Sequence, residues 1–209
     1  MKPKPAARAY HHGDLRNALL RTALDQIAHH GGRALSLRAV ARLTGVTHSS
    51  AYRHFPNKES VLAAIAEQGF RALNAATRAA AAAGGDPVAM LRAAGLAYVE
   101  FAVTHPHHLQ VMFSDLIGTH DAYPALVSAA HEAFDGLVSL VRAGIAAGRL
   151  AAVDERVAVL AAWSQVHGLA LLVSSGKIRG PDGAPLTDYR ALTEAVLALQ
   201  DHGLAARRD

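Results

Sequence analysis

Hydroxyl, imidazole and ammonium groups are clustered between residues 47 and 58 of this chain. Thr47, His48 and Ser49 are compact polar residues at the start of a short predicted helix. Their side chains can offer hydrogen-bond donors to base edges, and their size would let the helix enter a major groove without collision. The pattern therefore indicates contact with duplex nucleic acid.

Three larger polar residues, Tyr52, His54 and Lys58, continue the cluster. Their spacing could place a phenol, an imidazole and an ammonium along one phosphate strand. Each has a simpler alternative, because Tyr52 could be a core aromatic, His54 a surface residue and Lys58 a solvated cation. We favour phosphate contact for all three.

Two other chemistries fit the residue types poorly. Ser49 and His54 are close in sequence, but no acid is placed to orient the histidine as in a hydrolase. The chain has neither a P-loop nor a G-x-G-x-x-G motif, and it has no cysteine, which excludes thiolate sites. The densest histidine group is His105, His107 and His108, whose spacing matches no metal site. We predict no metal site, no cofactor and no enzyme.

Two short helices joined by a tight turn are predicted to position the polar cluster. Ser36 can cap a helix over 37–43, and Gly45 relieves the steric cost of the sharp turn after it. Thr47 can cap the second helix, which runs through His54. On its underside, Ala51 and Phe55 are expected to anchor this helix, which leaves its opening residues facing outward.

Positive charge is concentrated in the same part of the chain. Residues 1–58 contain ten Lys and Arg against two acidic residues, a balance of +8, whereas residues 59–209 have a balance of −4. A polyanion would be attracted to the first quarter of the chain. The alternative is a solvated basic face without a partner.

Helix-forming residues dominate the whole sequence, and no alternating strand pattern of useful length occurs. We predict an all-α protein of about nine helices. Besides the two short helices, the bounds predicted are Asp14–His30, a long helix capped by Asn57, Pro87–Thr104, Pro106–Ser114, Pro124–Gly148, Asp154–Ser174 and Thr187–His202.

Two domains are predicted, with a boundary at the alanine-rich tract Ala79–Gly85. The first covers residues 12–72, with a helix-turn-helix over about 36–55. The second covers residues 86–203. The N-terminus lacks the apolar core of a signal peptide, and no uncharged apolar stretch approaches 18 residues. A cytoplasmic protein without a membrane segment is expected.

The run A…GV…AYRHFPNKE..L over residues 41–62 resembles the tetracycline-repressor (TetR) family of bacterial regulators, and the similarity extends over roughly residues 12–72. The tyrosine-to-glutamate run after the helix-turn-helix is the specific part of the match. The matching residues are Ala41, Gly45, Val46, Tyr52, His54, Phe55, Lys58, Glu59 and Leu62.

The resemblance implies that the third helix reads the major groove, with Lys58 on a phosphate at the start of the fourth helix. Ser36 and Arg38 would touch the DNA backbone. The residues implied to approach DNA on the third helix are Thr47, His48, Ser49, Tyr52 and His54. Many members carry Lys or Gly where this chain has His48 and Ser49, so no base preference carries over.

A second resemblance lies in the C-terminal half, where Trp163, His167 and Gly168 form the W-x-x-x-H-G pattern of one TetR subgroup. Trp163 and His167 are four residues apart and share a helix face. They could line an effector pocket with Met112, Phe113 and Phe134. Alternatively, they could be packing residues whose polar atoms are satisfied internally.

The last two helices are predicted to form a dimer seam. One stripe of the eighth helix carries small residues and one side of the ninth is apolar, so two copies could pair through a four-helix interface. The residues predicted for the seam are Ala161, Ser164, Gly168, Leu192, Val196 and Leu199. These stripes could instead belong to the core of a monomer.

Together these features predict a DNA-binding transcriptional regulator. We expect a homodimeric repressor that binds a double-stranded DNA operator and is released by a small-molecule effector. The alternatives are a helical protein-interaction module with incidental DNA affinity and a small helical enzyme. Steep salt dependence of duplex binding would separate the first interpretation from the other two.

Overall fold

The computed structural model of the chain describes residues 12–179, 183–184, 186 and 188–204. The described residues form nine α-helices and two single-turn 3-10 helices (Gly32–Ala34 and His120–Ala122), which confirms the all-α prediction. The α-helices are α1 (His12–His30), α2 (Leu37–Thr44), α3 (His48–His54), α4 (Lys58–Ala81), α5 (Pro87–Thr104), α6 (Pro106–Met112), α7 (Pro124–Ala146), α8 (Glu155–Ser174) and α9 (Tyr189–Leu204).

Local capping determines where α2 and α3 begin and end. The Ser36 side chain accepts a hydrogen bond from the Ala39 amide, and the Thr47 side chain accepts one from the Ser50 amide. Gly45 ends α2 in the left-handed conformation, with φ of 76°, which glycine adopts without steric cost. The predicted caps and turn are therefore confirmed, and α2 runs one residue further than predicted.

The long helix α4 connects the first three helices with the rest of the molecule. Asn57 and Ser60 cap its start reciprocally, with the Ser60 amide donating to Asn57 at 2.7 Å. Its first turns contact α1, and its length packs against α5, α6 and α7. The reciprocal cap therefore fixes the start of α4 at Lys58, four residues after the last residue of α3.

One continuous apolar core spans the predicted domain boundary. Leu19 of α1 and Phe55, directly after α3, belong to the same buried cluster as Ile65 of α4, Val99 of α5 and Val111 of α6. Burying a side chain of this size contributes about 1.5–3 kcal/mol. The first three helices are therefore packed onto the larger bundle rather than tethered to it.

Several further helix bounds differ from the prediction by one or two residues. Helix α1 begins at His12 instead of Asp14, and α8 begins at Glu155, directly after its Asp154 cap. Phe113 leaves helical geometry at φ −116° and ψ 19°, so α6 ends at Met112 instead of Ser114. α7 ends at Ala146, two residues early, before a left-handed Gly148. α9 begins at Tyr189 and ends at Leu204, whereas the predicted start, Thr187, lies outside the described residues.

Helix α6 packs closely on α4 at Gly69. A Cβ atom at this position would lie 3.3 Å from the Cβ of His108 and would clash with the Met112 sulfur. Burial is the main cause that lowers the pKa of His108, and the charges of His105 and His107 lower it further. The folded protein therefore favours the neutral imidazole against α4.

We expect His108 to contribute to acid sensitivity. The unfolded chain binds a proton there near the ordinary pKa of 6.5, whereas the folded chain does so at lower pH. Stability should therefore be complete above that value and fall as the pH drops through it. Urea unfolding of His108→Gln should show a smaller loss on acidification than the wild type. His131→Gln, an exposed α7 control, should behave like the wild type, and an equal loss in all three proteins would contradict this role.

Candidate nucleic-acid interface and effector cavity

Helix α3 has one buried and one open side. Ala51 is fully buried and Phe55 is 2% exposed, while Thr47, His48 and Ser49 are exposed. This arrangement agrees with the predicted anchoring and places the opening residues of α3 toward solvent.

A ring pair extends the open face of α3. The rings of His48 and Tyr52, one helical turn apart, lie 4.3 Å from each other. Tyr52 is 40% exposed, so its phenol is available at the surface and is not a core aromatic. Thr47 and Ser49 share a hydrogen bond of 3.2 Å between their hydroxyls. The side chains predicted to contact bases thus form one contiguous polar surface.

The residues predicted to contact phosphates lie at the start of α2, at the end of α3 and at the start of α4. Ser36 and Arg38 at the start of α2 are exposed, and His54 at the end of α3 is half-buried. The Lys58 ammonium donates to the backbone carbonyl of Arg33 at 2.6 Å, a contact that the sequence did not indicate. Because an ammonium has three donors, Lys58 retains hydrogen atoms for a phosphate.

The charged residues of α2 and α3 are all basic. Neither α2 nor α3 contains an acidic residue, and both have basic residues in their last turn. The side chains of Arg38, Arg42 and Arg53 are exposed. Such a surface attracts a polyanion over a distance of about one Debye length.

A second feature is a cavity of about 850 Å³ enclosed mainly by α4, α5, α7 and α8. Its volume is within the range of small-molecule sites. Small residues of α7 widen it, and aromatic side chains form part of its wall. The aromatic residues that line it are Phe70, Tyr98, Phe113, Phe134 and Trp163.

The aromatic wall is held by ring contacts. Trp163 lies 5.9 Å from Phe134 and 6.2 Å from Phe113, and Phe113 lies 5.5 Å from Phe70. Edge-to-face and tilted pairs at these distances are favourable. Three of the five residues predicted for the pocket, Phe113, Phe134 and Trp163, are therefore brought together at the cavity.

The other two predicted residues are not part of the wall. Met112 is 4% exposed and packs its sulfur against Gly69, so it is a core residue between α6 and α4. The Nδ1 atom of His167 shares a hydrogen bond of 2.8 Å with the Tyr98 hydroxyl, and His167 is not among the residues that line the cavity. Burial lowers the pKa of His167, which favours the neutral ring in this position.

Two wall residues were missed by the sequence reasoning. Tyr98 follows Leu91 and Ala94 at helical spacing, so the three residues share one face of α5. Phe70 belongs to the apolar face of α4. Both signals were present in the sequence, but they do not distinguish a cavity wall from a filled core.

Helix α8 has an exposed apolar face. Val157, Leu160, Leu171 and Leu172 are 45–59% exposed, which is unusual for large apolar side chains so close together. The predicted seam residues Ala161 and Ser164 lie on the same exposed side. Apart from the backbone of α8 itself and the two neighbouring residues, no atom of the described residues lies within 4 Å of the position that a Cβ of Gly168 would occupy.

The predicted seam residues of α9 are divided. Leu199 is 73% exposed and Leu192 is half-buried. Val196 packs against the core, and its backbone carbonyl accepts a hydrogen bond from the Nε2 atom of the Gln165 side chain at 3.2 Å. Val196 therefore contributes mainly to packing within the chain.

Helices α5 (Pro87–Thr104) and α8 are long and apolar enough to cross a membrane by length and composition. Both pack within the helical bundle, where α5 contacts α4, α7, α8 and α9. Apolar helices at the core of a bundle have the same composition, so this is weak evidence for a membrane segment.

Two family profiles match the chain. Residues 19–65 match the profile of bacterial regulatory proteins of the tetR family. Residues 91–199 match the profile of the tetracyclin repressor-like C-terminal domain, a span that includes Trp163 and His167. No protein among those with curated functions matches.

Solved structures have the same fold over nearly the whole chain. A protein with unknown function from Rhodococcus sp. RHA1 is 34% identical, with a TM-score of 0.80 over 95% of this chain and 100% of that one. A tetR family regulatory protein from Rhodococcus RHA1 is 21% identical, with a TM-score of 0.74 over 92% and 98%. The regulator PfmR from Thermus thermophilus is 21% identical, with a TM-score of 0.71 over 91% and 99%.

The C-terminal profile alone covers more than half of the chain, and the N-terminal profile covers the helix-turn-helix. Proteins of this family are DNA-binding transcriptional regulators and not enzymes. The chain belongs to the tetR family of bacterial regulatory proteins.

Proposed function

We propose that this protein is a homodimeric, cytoplasmic repressor that leaves its operator when a small molecule occupies the cavity. The observation that carries the proposal is the open polar face of α3 next to a helix without acidic residues. The division into a DNA-binding unit (12–72) and an effector and dimerisation unit (86–203), and the W-x-x-x-H-G subgroup, are part of the proposal.

Contacts to DNA are assigned by side-chain chemistry. Thr47, His48 and Ser49 would face base edges, and Tyr52 would reach a phosphate beside them. The exposed Arg38 on α2 would bind the backbone of the duplex. The residues assigned to the remaining phosphate contacts are Ser36, His54 and Lys58.

Salt dependence tests this assignment. On an operator selected from random duplexes, the wild type should lose affinity steeply as salt rises. Arg38→Ala should reduce the log–log slope by about one, because one phosphate contact releases about one counterion. Fluorescence anisotropy measures both quantities.

The matched control is Arg156→Ala, which removes an exposed cation at the start of α8 and should leave the slope unchanged. A flat salt response of the wild type would contradict DNA binding and favour a protein-interaction module.

Dimerisation is supported by the exposed apolar face of α8. Pairing this face with a second copy would bury Leu160 and Leu171 and would present two α3 helices to the half-sites of a symmetric operator. Leu199 of α9 would extend the same interface.

Light scattering tests the seam. Leu160→Glu introduces a charge that would be buried in the interface, so the mass should fall from twice 21.9 kDa to that of one chain. Ala125→Glu, at an exposed position of α7, should remain dimeric. A wild type that is monomeric at about micromolar concentration would overturn the dimer.

The effector would bind against the aromatic wall. A ligand that is selective for the folded state raises its thermal stability, so a metabolite panel can be screened by melting temperature. Trp163→Ala should weaken the apparent affinity for a metabolite that raises the melting temperature (a hit) at least about tenfold, because stacking on the indole is lost. This affinity is obtained from the thermal shift.

Operator affinity without the hit should be unchanged in Trp163→Ala if this residue acts only at the cavity. Trp163→Phe is the control that retains an aromatic face, and it should keep most of the response. Equal loss of operator and ligand binding in Trp163→Ala would indicate a packing role.

A further inference from the structure

A six-residue segment joins the cavity wall to the helix-turn-helix. Phe113 lies on the wall at the end of α6, and the residues that follow it, 114–119, pack against the first turn of α4. There the Glu59 carboxylate accepts a hydrogen bond from the Gly118 amide at 2.8 Å and one from the Thr119 amide at 3.3 Å. We call residues 114–119 the connecting segment.

The connecting segment also packs on the chain just after α1. Gly32 is buried, and a Cβ atom at this position would clash with a methyl group of Leu116. Ile117 is 3% exposed and belongs to the core shared with α1 and α4. The segment is therefore seated in a fitted groove at the back of the DNA-binding unit.

Two charged contacts hold the segment, and they differ in strength. The Arg33–Asp115 ion pair is 2.7 Å long, but its side chains are 80% and 76% exposed, so water and salt screen it. The Oε1 atom of Glu59, a half-buried residue, accepts both backbone hydrogen bonds at the surface, and a carboxylate acceptor makes the stronger kind of hydrogen bond. Glu59 is thus the main polar attachment.

The position of Glu59 connects this attachment to α3. It lies in the first turn of α4, two residues after the Asn57 cap and four after Phe55, the buried anchor of α3. Because α4 begins only three residues after Phe55, a displacement of Glu59 would also displace the residue that anchors α3. A displacement of Phe113 reaches Glu59 through only six residues.

We infer that Glu59 is a positioning residue that couples the cavity to the DNA-binding face through the connecting segment. This inference rests on the proposed function. A cavity occupant that shifts Phe113 changes the seating of residues 114–119, and the carboxylate–amide contacts pass this change to the start of α4. Without those contacts, filling the cavity changes the position of α3 less.

The first measurement asks whether the attachment exists in solution. Amide hydrogen exchange at Gly118 and Thr119 should be at least about tenfold faster in Glu59→Ala, because both amides lose their acceptor. Glu59→Gln retains a carbonyl oxygen and should give an intermediate rate. Circular dichroism checks that both variants are folded. Unchanged exchange in Glu59→Ala would overturn the inference.

The second measurement is a double-mutant cycle on operator affinity, in which Phe113→Ala replaces the unidentified effector as a perturbation of the wall. Phe113→Ala and Glu59→Ala together should deviate from the product of their separate effects by more than about threefold. The control is Glu67→Ala, which removes the partner of Arg71 on α4. The operator affinity of the Glu67→Ala, Phe113→Ala double variant should lie within about twofold of the value expected from multiplying the two separate effects.

The outcomes distinguish a failure of the proposed function from a failure of the coupling alone. A wild type that selects no duplex would overturn the proposed function and the coupling with it. Normal operator binding with a multiplicative Glu59–Phe113 cycle would overturn the coupling alone. A Glu59→Gln cycle with Phe113→Ala that lies closer to multiplicative than the Glu59→Ala cycle would support a role of the acceptor oxygen, because glutamine retains an acceptor and with it part of the coupling.

Discussion

The burial of one side of α3 is the constraint on which the rest of this molecule depends. Ala51 and Phe55 fix the helix from below, and the Arg16 guanidinium lies 5.2 Å from the centre of the Phe55 ring, where a cation–π contact is favourable. A helix of seven residues has little stability of its own. Its orientation, and the exposure of its polar side, therefore follow from these tertiary contacts.

The features that could be predicted from the sequence are those encoded by neighbouring residues. Ser36, Gly45, Thr47 and Asn57 each act on an amide or a turn within a few positions, so residue type and spacing were sufficient to place them. The end of α6 was misplaced by two residues, because Phe113 leaves the helix to join rings of α4 and α8. Such a tertiary contact has no local signature.

The candidate sites, too, could be predicted only where they depend on neighbouring residues in the sequence. The exposure of Tyr52 agrees with the phosphate contact that we favoured over a core position. The contact of Lys58 with the Arg33 carbonyl, in contrast, joins positions 25 residues apart. Trp163 and His167 share a helix face, yet Trp163 lines the cavity, whereas His167 is hydrogen-bonded to Tyr98 and does not line it. The deciding factor is the neighbouring helix, whose position the spacing of two residues cannot specify.

The continuous core has a consequence for how this architecture can be recombined. A chimaera that takes its DNA-reading half from one relative and its cavity from another must be joined along α4, yet Gly32 and Leu116 fit each other only as a matched pair. Residues 114–119, which follow α6, would have to come from the same relative as the first three helices. Modularity in this protein is thus a property of surfaces in contact and not of a cut point along the chain.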